Sequence, residues 1–246
     1  WNTEAEPKPS VMPRTNMEAA EVWAEFLYKL GKHEGFENLV YVDIHNEVPY
    51  FLPGYLELLQ KETGESWADN GTVERAEGGG PISTGKSFTR GIKEFLINDI
   101  NGAVSMLQRE FPKLRFTASI HADERWIDVP VEFDCLDVHF FVDDKRWHSR
   151  TCFSDLINSD FYSNDSMFKE FSDRCTSAVE SIGPMIHARQ RNTLALFSRW
   201  AQQNGMPLTT SESWSSWFYI DHPDLDWTWL KKWSSWTVQD AIDYKM

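Results

Sequence analysis

The sequence is poor in cysteine and has no recognisable metal-binding motif. Its three cysteines, Cys135, Cys152 and Cys175, are an odd number, and no two of them have C-x-x-C spacing. Neither a zinc knuckle nor a disulfide framework is therefore indicated. The seven histidines form no H-E-x-x-H pair, the pattern in which two histidines on one helix bind zinc. These patterns imply no metal or other cofactor.

The sequence also lacks a membrane-spanning run and has few basic residues. No stretch of about 18 consecutive apolar residues occurs, so the pattern predicts no transmembrane helix. The 24 Lys and Arg are outnumbered by 38 Asp and Glu, which gives a formal net charge of -14 and a pI near 4.9. Such a chain repels polyanions, so neither a nucleic acid nor a membrane is an expected partner.

Aromatic residues, by contrast, are abundant. Twelve Trp, sixteen Phe and seven Tyr bring the aromatic content to 14%, and the 41% of hydrophobic residues is enough for a sizeable core. Most such rings belong in the core, but an exposed ring offers a flat apolar face on which a sugar can stack. Neutral ligands, sugars among them, therefore suit this composition better than anions.

The stretch GGGPISTGKS, residues 78–87, has the letters of a phosphate-binding loop, G-x-x-x-x-G-K-S. A working loop of this kind needs a buried strand directly before it, because the strand-to-helix turn aims backbone N–H groups at the phosphates. The residues before Gly80 are polar and Gly-rich, and Val73 is their only β-branched apolar residue. A nucleotidase with a phosphate loop is therefore only a remote alternative.

The stretch at residues 78–87 is instead consistent with a long loop that leads into a helix. Residues 61–86 are polar and Gly-rich, and an apolar helical period begins at about Ser87. A hydroxyl is expected to cap the first turn of that helix. The candidates for this cap are Ser83, Thr84 and Ser87.

Hydrophobic periodicity predicts helices that alternate with short apolar strands. Helices are predicted over residues 15–31, from about 87 to 107, through 191–205 and over 225–244. Strands are predicted over 37–44, 114–121, 135–142 and 206–212, with a short helix between the second and the third. This alternation indicates a parallel α/β fold, and short apolar strands that end in polar residues suit a (β/α)8 TIM barrel.

Polar and aromatic side chains recur where the predicted strands end. In strand order these residues are Asn46 and Glu47, then His121, then His139 and Phe141, and finally Glu212. Barrel enzymes keep their chemistry at the carboxyl ends of the strands. We therefore expect these side chains to point into one mouth.

This ordered set resembles strands four, six and seven of the clan-A glycoside hydrolases, the cellulase-like (β/α)8 barrels. The resemblance covers most of the chain. It implies that Glu47 is the general acid/base, that Glu212 is the nucleophile and that Asn46 binds the sugar 2-hydroxyl. It further implies a retaining glycosidase that acts on β-linked glycosides or polysaccharides.

The chemistry requires a pair of carboxyl groups. One protonates the leaving oxygen and the other attacks the anomeric carbon, and the two lie about 5 to 5.5 Å apart in retaining enzymes. Residues that orient these groups, hold sugar hydroxyls or form an aromatic floor are also expected. The candidates for these supporting roles are His121, His139, Phe141, Trp214 and Trp217.

Two further readings stay open from the sequence. The first is a carbohydrate-binding barrel without catalysis. The second is a metal site built from Glu47, His121 and His139, although the acid-rich spacing usual in barrel metallohydrolases is absent. A carbohydrate is the expected partner both of a retaining glycosidase and of a barrel that binds sugar without catalysis.

Counting residues predicts that the barrel is incomplete. A strand-helix unit averages about 30 residues, so a fourth strand that ends near Glu47 has too little chain before it for three earlier units. We therefore expect one glycoside-hydrolase-like domain over residues 1–246, truncated at both ends and running from the end of strand 3 through helix 7. An isolated piece of this kind is expected to expose strand edges and to be aggregation-prone or inactive, even where the parent protein is an enzyme.

Overall fold

The computed structural model of the protein describes residues 12–33, 35–63, 66–67, 73–74, 87–142, 145–151, 164, 166–214 and 222–246. The chain divides into two compact units. The first is drawn from Trp1–Arg75, Phe88–Ala118 and Val129–Phe133, and the second from Ala76–Ser87, Ser119–Asp128 and Asp134–Met246. None of the described helices combines the length and the apolar character that crossing a bilayer requires.

The first unit is built around helices. Its described elements, in chain order, are α1 (Asn16–His33), β1 (Val42–Asp43), α2 (Pro53–Thr63), β2 (Ser66–Trp67), β3 (Val73–Glu74), α3 (Arg90–Glu110) and β4 (Phe116–Thr117). Strands β1 and β4 are parallel, with Val42 opposite Phe116, whereas β2 and β3 are antiparallel. The helix predicted over residues 15–31 is confirmed and corresponds to α1.

Helices α1 and α3 pack against each other through apolar faces. On α3 the buried residues recur at helical spacing, as in Ile92, Leu96, Ile100 and Leu107, each 1% exposed or less. On α1 the inward face is Ala-rich and includes Leu27 at 1% exposure. Periodic apolar residues therefore define this core, as the sequence pattern predicts.

A buried carboxylate on α3 caps the amino end of α1. Asp99 Oδ2 accepts hydrogen bonds from the backbone N–H and the Nδ2 of Asn16 at 2.8 and 2.9 Å, and its Oδ1 accepts the N–H of Met17 at 3.1 Å. Both Asn16 and Asp99 are buried, at 1% and 7% exposure. An acidic group at the amino end of α1 also interacts favourably with the positive end of the helix dipole. Asp99 therefore joins the two helices by polar contacts in addition to their apolar packing.

His45 follows β1 and lies near Asp99. Burial lowers the pKa of its imidazole from the ordinary 6.5, and the neighbouring Asp99 carboxylate opposes that shift in part. The ring is therefore neutral at neutral pH.

Helix α2 is absent from the sequence-based prediction, which placed no helix between β1 and residue 87. Pro53 occupies its first position, where a fixed φ and a missing N–H cost nothing. Tyr55 and Leu59 bury one face of the helix, which packs against α3. The prediction of a loop over residues 61–86 is wrong for its first part. Helix α2 continues to Thr63, and β2 pairs with β3 within the predicted loop.

The predicted cap of α3 is also corrected. The helix begins at Arg90, and the hydroxyl of Thr89 accepts the N–H of Ile92 at 3.3 Å. Ser87 lies before this cap, whereas Ser83, Thr84 and the rest of residues 78–86 lie outside the described residues. A sequence with hydroxyls at several neighbouring positions does not reveal which one begins the helix.

The second unit alternates strands with helices. Its described elements are β5 (Ile120–His121), a 3-10 helix (Glu124–Asp128), β6 (Leu136–His139), α4 (Lys145–Thr151), α5 (Ser166–Ser181), α6 (Gly183–Gln203), β7 (Leu208–Thr209) and α7 (Thr228–Asp243). The predicted short helix between two strands and the helices over 191–205 and 225–244 are confirmed. Gly205, with φ of 67°, follows the end of α6 as expected of a helix-ending glycine.

A parallel sheet in the order β5-β6-β7 forms the centre of this unit. All four residues of β6 are buried, as is typical of a strand covered on both faces. The sheet continues as an isolated bridge between Phe140 and Ser213. The strand predicted over 114–121 is divided into β4 and β5 by Ala118 and Ser119.

Aromatic side chains fill the core beside this sheet. The ring of Trp147 lies 5.8 Å from that of Trp229 and 5.6 Å from that of Trp233, centroid to centroid, and all three are buried. Cys135 and Cys175 are buried free thiols, and burial raises the pKa of Cys175 far above its ordinary value. That thiol therefore stays protonated and unreactive.

The α/β class of the prediction is confirmed, with helical residues outnumbering strand residues among those described and with parallel strands in both units. The strands are shorter than predicted, two to four residues each. Closure of these strands into a complete or incomplete barrel stays a prediction. So does the extent of the single domain over residues 1–246.

Removal of the Asp99 carboxylate should destabilise the first unit. Asp99→Ala leaves the buried N–H groups of Asn16 and Met17 without their acceptor, so we expect the free energy of unfolding to fall by about 1 to 3 kcal/mol. Urea unfolding measures the change. The control is Glu94→Ala on the same helix, whose side chain is 56% exposed and whose loss should cost less than about 0.5 kcal/mol. Equal losses in both variants would contradict the capping role.

The lowered pKa of His45 predicts a pH dependence of stability. Below the ordinary pKa of 6.5 the unfolded chain binds this proton more readily than the folded one, so the free energy of unfolding falls as pH drops toward the lowered value. His45→Asn should therefore flatten the stability profile between about pH 8 and about pH 5. His33→Asn, at an exposed position on α1, is the control and should keep the wild-type slope. An unchanged slope in His45→Asn would refute the assignment.

Candidate active site

The segment after β1 is held from both sides. The indole Nε1 of Trp23 on α1 donates to the carbonyl of Ile44 at 2.9 Å. Ile44 and Val48 are buried, at 4% and 0% exposure, and they fix the two ends of the turn between them. The predicted site residues Asn46 and Glu47 lie in that turn.

Glu47 has a backbone conformation that is unusual for its residue type. Its φ is 54°, in the left-handed region, and its carbonyl accepts the N–H of Tyr50 at 3.1 Å. A non-glycine residue there costs free energy and persists only where its surroundings determine it. Asn46 is exposed and Glu47 is half-buried, so both side chains lie at the border of the core.

The ends of β5 and β6 bring three predicted site residues together. His121 and His139 are partners in the strand register, and their ring centroids are 6.4 Å apart. Phe141 completes the triangle at 6.0 Å from His121 and 5.9 Å from His139. His139 is almost fully buried, at 1% exposure, whereas His121 and Phe141 are half-buried. The expected cluster of imidazoles and an aromatic ring is therefore present in the second unit.

The segment after β7, which contains Glu212, is bound to β6. Asp137 Oδ1 accepts the N–H of Ser211 at 2.9 Å, and the Ser211 hydroxyl lies 3.1 Å from His139 Nε2. On the other side of Glu212, the Phe140 N–H donates to Ser213 Oγ at 3.2 Å. Glu212 itself is exposed. Its backbone is thus anchored on both sides, although the residue is exposed.

Trp214 closes this segment. Its ring stacks on Phe140, with centroids 5.8 Å apart and an interplanar angle of 11°, and its φ is 80°. Its N–H donates to the Phe140 carbonyl at 3.0 Å, and Gln190 Nε2 donates to the same oxygen at 2.8 Å. Trp217, the other predicted aromatic of the site, lies outside the described residues.

The predicted residues therefore fall into both units. Asn46 and Glu47 belong to the first, and His121, His139, Phe141 and Glu212 belong to the second. Within the second unit the histidines, the phenylalanine and the anchored backbone of Glu212 occur at the ends of neighbouring parallel strands. Imidazole, hydroxyl and carboxylate groups at strand ends are suited to hydrogen bonding with sugar hydroxyls. The pairing of Glu47 with Glu212 stays a prediction.

Asp137 and Ser211 were missed at the sequence level. A signal for Asp137 is present, because it is the one charged residue in the apolar run CLDVHFFV. A charge in such a run is costly unless polar groups accompany it, so its partner had to come from another segment. Ser211 has no comparable signal, since a serine after a strand is common in loops.

Comparison with known proteins confirms the resemblance to the cellulase-like family. A sequence model of the cellulase-like family, described as "Sugar-binding cellulase-like", matches residues 5–246, a range that includes the glycine-rich stretch 78–87. No curated protein matches the chain.

One similar solved structure comes from Parabacteroides distasonis and is described as a "putative glycoside hydrolase". It is 16% identical, with a TM-score of 0.62, so the likeness lies in the fold. The alignment covers 93% of this chain, which spans about half of that chain, 54%. Because the family match covers nearly all residues, the chain belongs to the sugar-binding cellulase-like family.

Proposed function

We propose that the protein is a retaining β-glycoside hydrolase, with Glu47 as the general acid/base and Glu212 as the nucleophile. The observation that carries the proposal is that each glutamate lies within four residues after the end of a short parallel strand in a cellulase-like chain. Glu47 comes four residues after the end of β1, and Glu212 comes three residues after the end of β7. Carboxyl ends of parallel strands are where folds of this class keep their catalytic groups.

The first half of the reaction breaks the glycosidic bond. The Glu212 carboxylate attacks the anomeric carbon, and a carbon–oxygen bond to the enzyme forms while the bond to the leaving oxygen breaks. The carboxyl proton of Glu47 passes to that oxygen, which departs as an alcohol. Glu47 is then a carboxylate and the sugar is an ester of Glu212.

The second half returns the enzyme to its starting state. Glu47 takes a proton from water, and the resulting oxygen attacks the anomeric carbon from the side that the leaving group vacated. The ester bond to Glu212 breaks, and the sugar leaves with its original anomeric configuration. Two inversions at one carbon give net retention.

The remaining site residues bind the sugar. Asn46 is proposed to hold the 2-hydroxyl, and the two imidazoles, His121 and His139, to bind other hydroxyls or to orient the carboxylates. Phe141, Trp214 and Trp217 are proposed to supply apolar surface for ring faces. The net charge of -14 favours a neutral carbohydrate over an anionic one.

A second candidate function is carbohydrate binding without hydrolysis. The description of the matching family as sugar-binding favours this reading. Binding would use the same hydroxyl-binding and stacking groups and would not need two carboxylates. Isothermal titration with oligosaccharides, carried out beside turnover assays on aryl β-glycosides, separates the two functions.

Replacement of the nucleophile tests the proposal most directly. Glu212→Gln keeps the shape of the side chain but removes the attacking charge, so we expect kcat to fall by about 10⁴-fold or more. Thermal unfolding should be unchanged, because the side chain is exposed. Glu180→Gln, at an exposed position on α5, is the matched control and should keep wild-type kcat. Undiminished turnover in Glu212→Gln would refute the nucleophile assignment.

The acid/base role predicts a dependence on the leaving group. In Glu47→Gln no proton reaches the leaving oxygen, so turnover of glycosides with poorly acidic leaving groups should fall by about 10² to 10⁴-fold. Release of an acidic phenol needs no such proton and should slow far less. Steady-state assays on a series of aryl β-glycosides measure the slope against leaving-group pKa. The assignment fails if the wild type and Glu47→Gln show equal slopes.

A further inference from the structure

Asp137 lies within β6, between Leu136 and Val138, and its side chain is fully buried at 0% exposure. A carboxylate in this position is stable only where polar groups satisfy its oxygens. The Ser211 N–H is one such group, and it donates to Oδ1 at 2.9 Å. Loss of such a buried hydrogen bond is costly, because one partner is left unsatisfied. The two residues are 74 positions apart in sequence, so the bond joins β6 to the segment after β7.

This bond fixes the residue directly before Glu212. The side chain of Ser211 is held as well, since its hydroxyl lies 3.1 Å from Nε2 of the buried His139. Asp137 and His139 project from the same face of β6, because side chains two apart in a strand share a face. Ser211 is therefore bound to one face of one strand through both its backbone and its side chain.

The two residues directly after Glu212 are bound to Phe140, the residue that follows β6. Ser213 Oγ accepts the Phe140 N–H at 3.2 Å, and the Trp214 N–H donates to the Phe140 carbonyl at 3.0 Å. Glu212 thus lies between Ser211, which is bonded to β6, and Ser213, which is bonded to the residue that follows β6. Strand β7 has only two residues, Leu208 and Thr209, so its ladder to β6 ends before Glu212. The side-chain bonds of Asp137 and Ser213, together with the backbone bond of Trp214, hold the backbone that carries the carboxylate.

We infer that Asp137 is a positioning residue for Glu212: its buried carboxylate holds the Ser211 N–H so that the nucleophile projects from a fixed backbone. The inference rests on the proposed function of Glu212. A reacting group displaced by about 1 Å can lose about 10²-fold in rate. Since Asp137 is fully buried, it acts on the sugar through the Ser211 segment that carries Glu212. The effect should therefore appear in kcat rather than in KM.

The test compares two substitutions of Asp137. Asp137→Leu fills the space without an acceptor, whereas Asp137→Asn keeps an acceptor oxygen at about the same place. In Asp137→Leu we expect faster hydrogen exchange of the segment around Ser211 and a kcat that is lower by about 10²-fold at unchanged KM. In Asp137→Asn both quantities should return to within about threefold of wild type. Exchange is followed by mass spectrometry, and turnover is followed on aryl β-glycosides.

A matched control separates this role from a general loss of charge. Asp173→Leu changes an Asp of the same unit whose side chain is 64% exposed and paired with Lys169 on α5. It should leave exchange near Ser211 and kcat unchanged. Should Asp137→Leu fail to fold, Asp137→Ser replaces it, because a serine side chain is too short to reach the Ser211 N–H.

The outcomes distinguish this inference from the function on which it rests. If the wild type turns over glycosides but the acceptor-free variant keeps its kcat, the positioning role is overturned and the proposed function stands. The positioning role is also overturned if the acceptor-free variant has a lowered kcat but no faster hydrogen exchange near Ser211. If the wild type binds sugar without turnover, the proposed function fails, and the positioning role fails with it. Loss of kcat together with faster exchange, both restored in Asp137→Asn, supports the inference.

Discussion

Asp99 and Asp137 belong to different units, yet each is a buried carboxylate that accepts a backbone N–H from a segment more than 70 residues away in sequence. The strands of this protein are two to four residues long, so their ladders alone fix little of the backbone beyond them. A buried carboxylate compensates because leaving it unpaired is far more costly than pairing it. In the first unit the bond joins α3 to the start of α1. In the second it ties the segment of the proposed nucleophile to β6.

Sequence reasoning predicted the features that depend on nearby residues. Periodic apolar positions predicted α1, α3, α6 and α7, and the residues at strand ends predicted the cluster of His121, His139 and Phe141. It failed for α2, whose short apolar face is weak on its own and depends on packing against α3. It also failed for the partners of Asp99 and Asp137, because a sequence shows that a carboxylate needs a donor but not which distant N–H supplies it.

The family match and the site geometry support different parts of the functional argument. The match extends over residues 5–246 and therefore concerns the whole chain, including the glycine-rich stretch whose letters suggested a phosphate loop. A fold likeness at 16% identity carries no information about individual side chains. The proposed chemistry depends instead on which residues follow β1, β6 and β7, and on how firmly those segments are held. Local geometry is thus the stronger argument for mechanism, and the match is the stronger argument for class.

Backbone strain gives a further reason to regard the two glutamate segments as functional. Glu47 has φ of 54°, and Trp214, two residues after Glu212, has φ of 80°. Each such residue costs about 1 to 3 kcal/mol relative to a relaxed backbone, and a glycine would relieve that cost at either position. The surrounding bonds, from Trp23 to Ile44 and from Trp214 to Phe140, are what maintain these conformations. For Glu47, the carboxyl group that the proposed function requires is what a glycine at this position would lack.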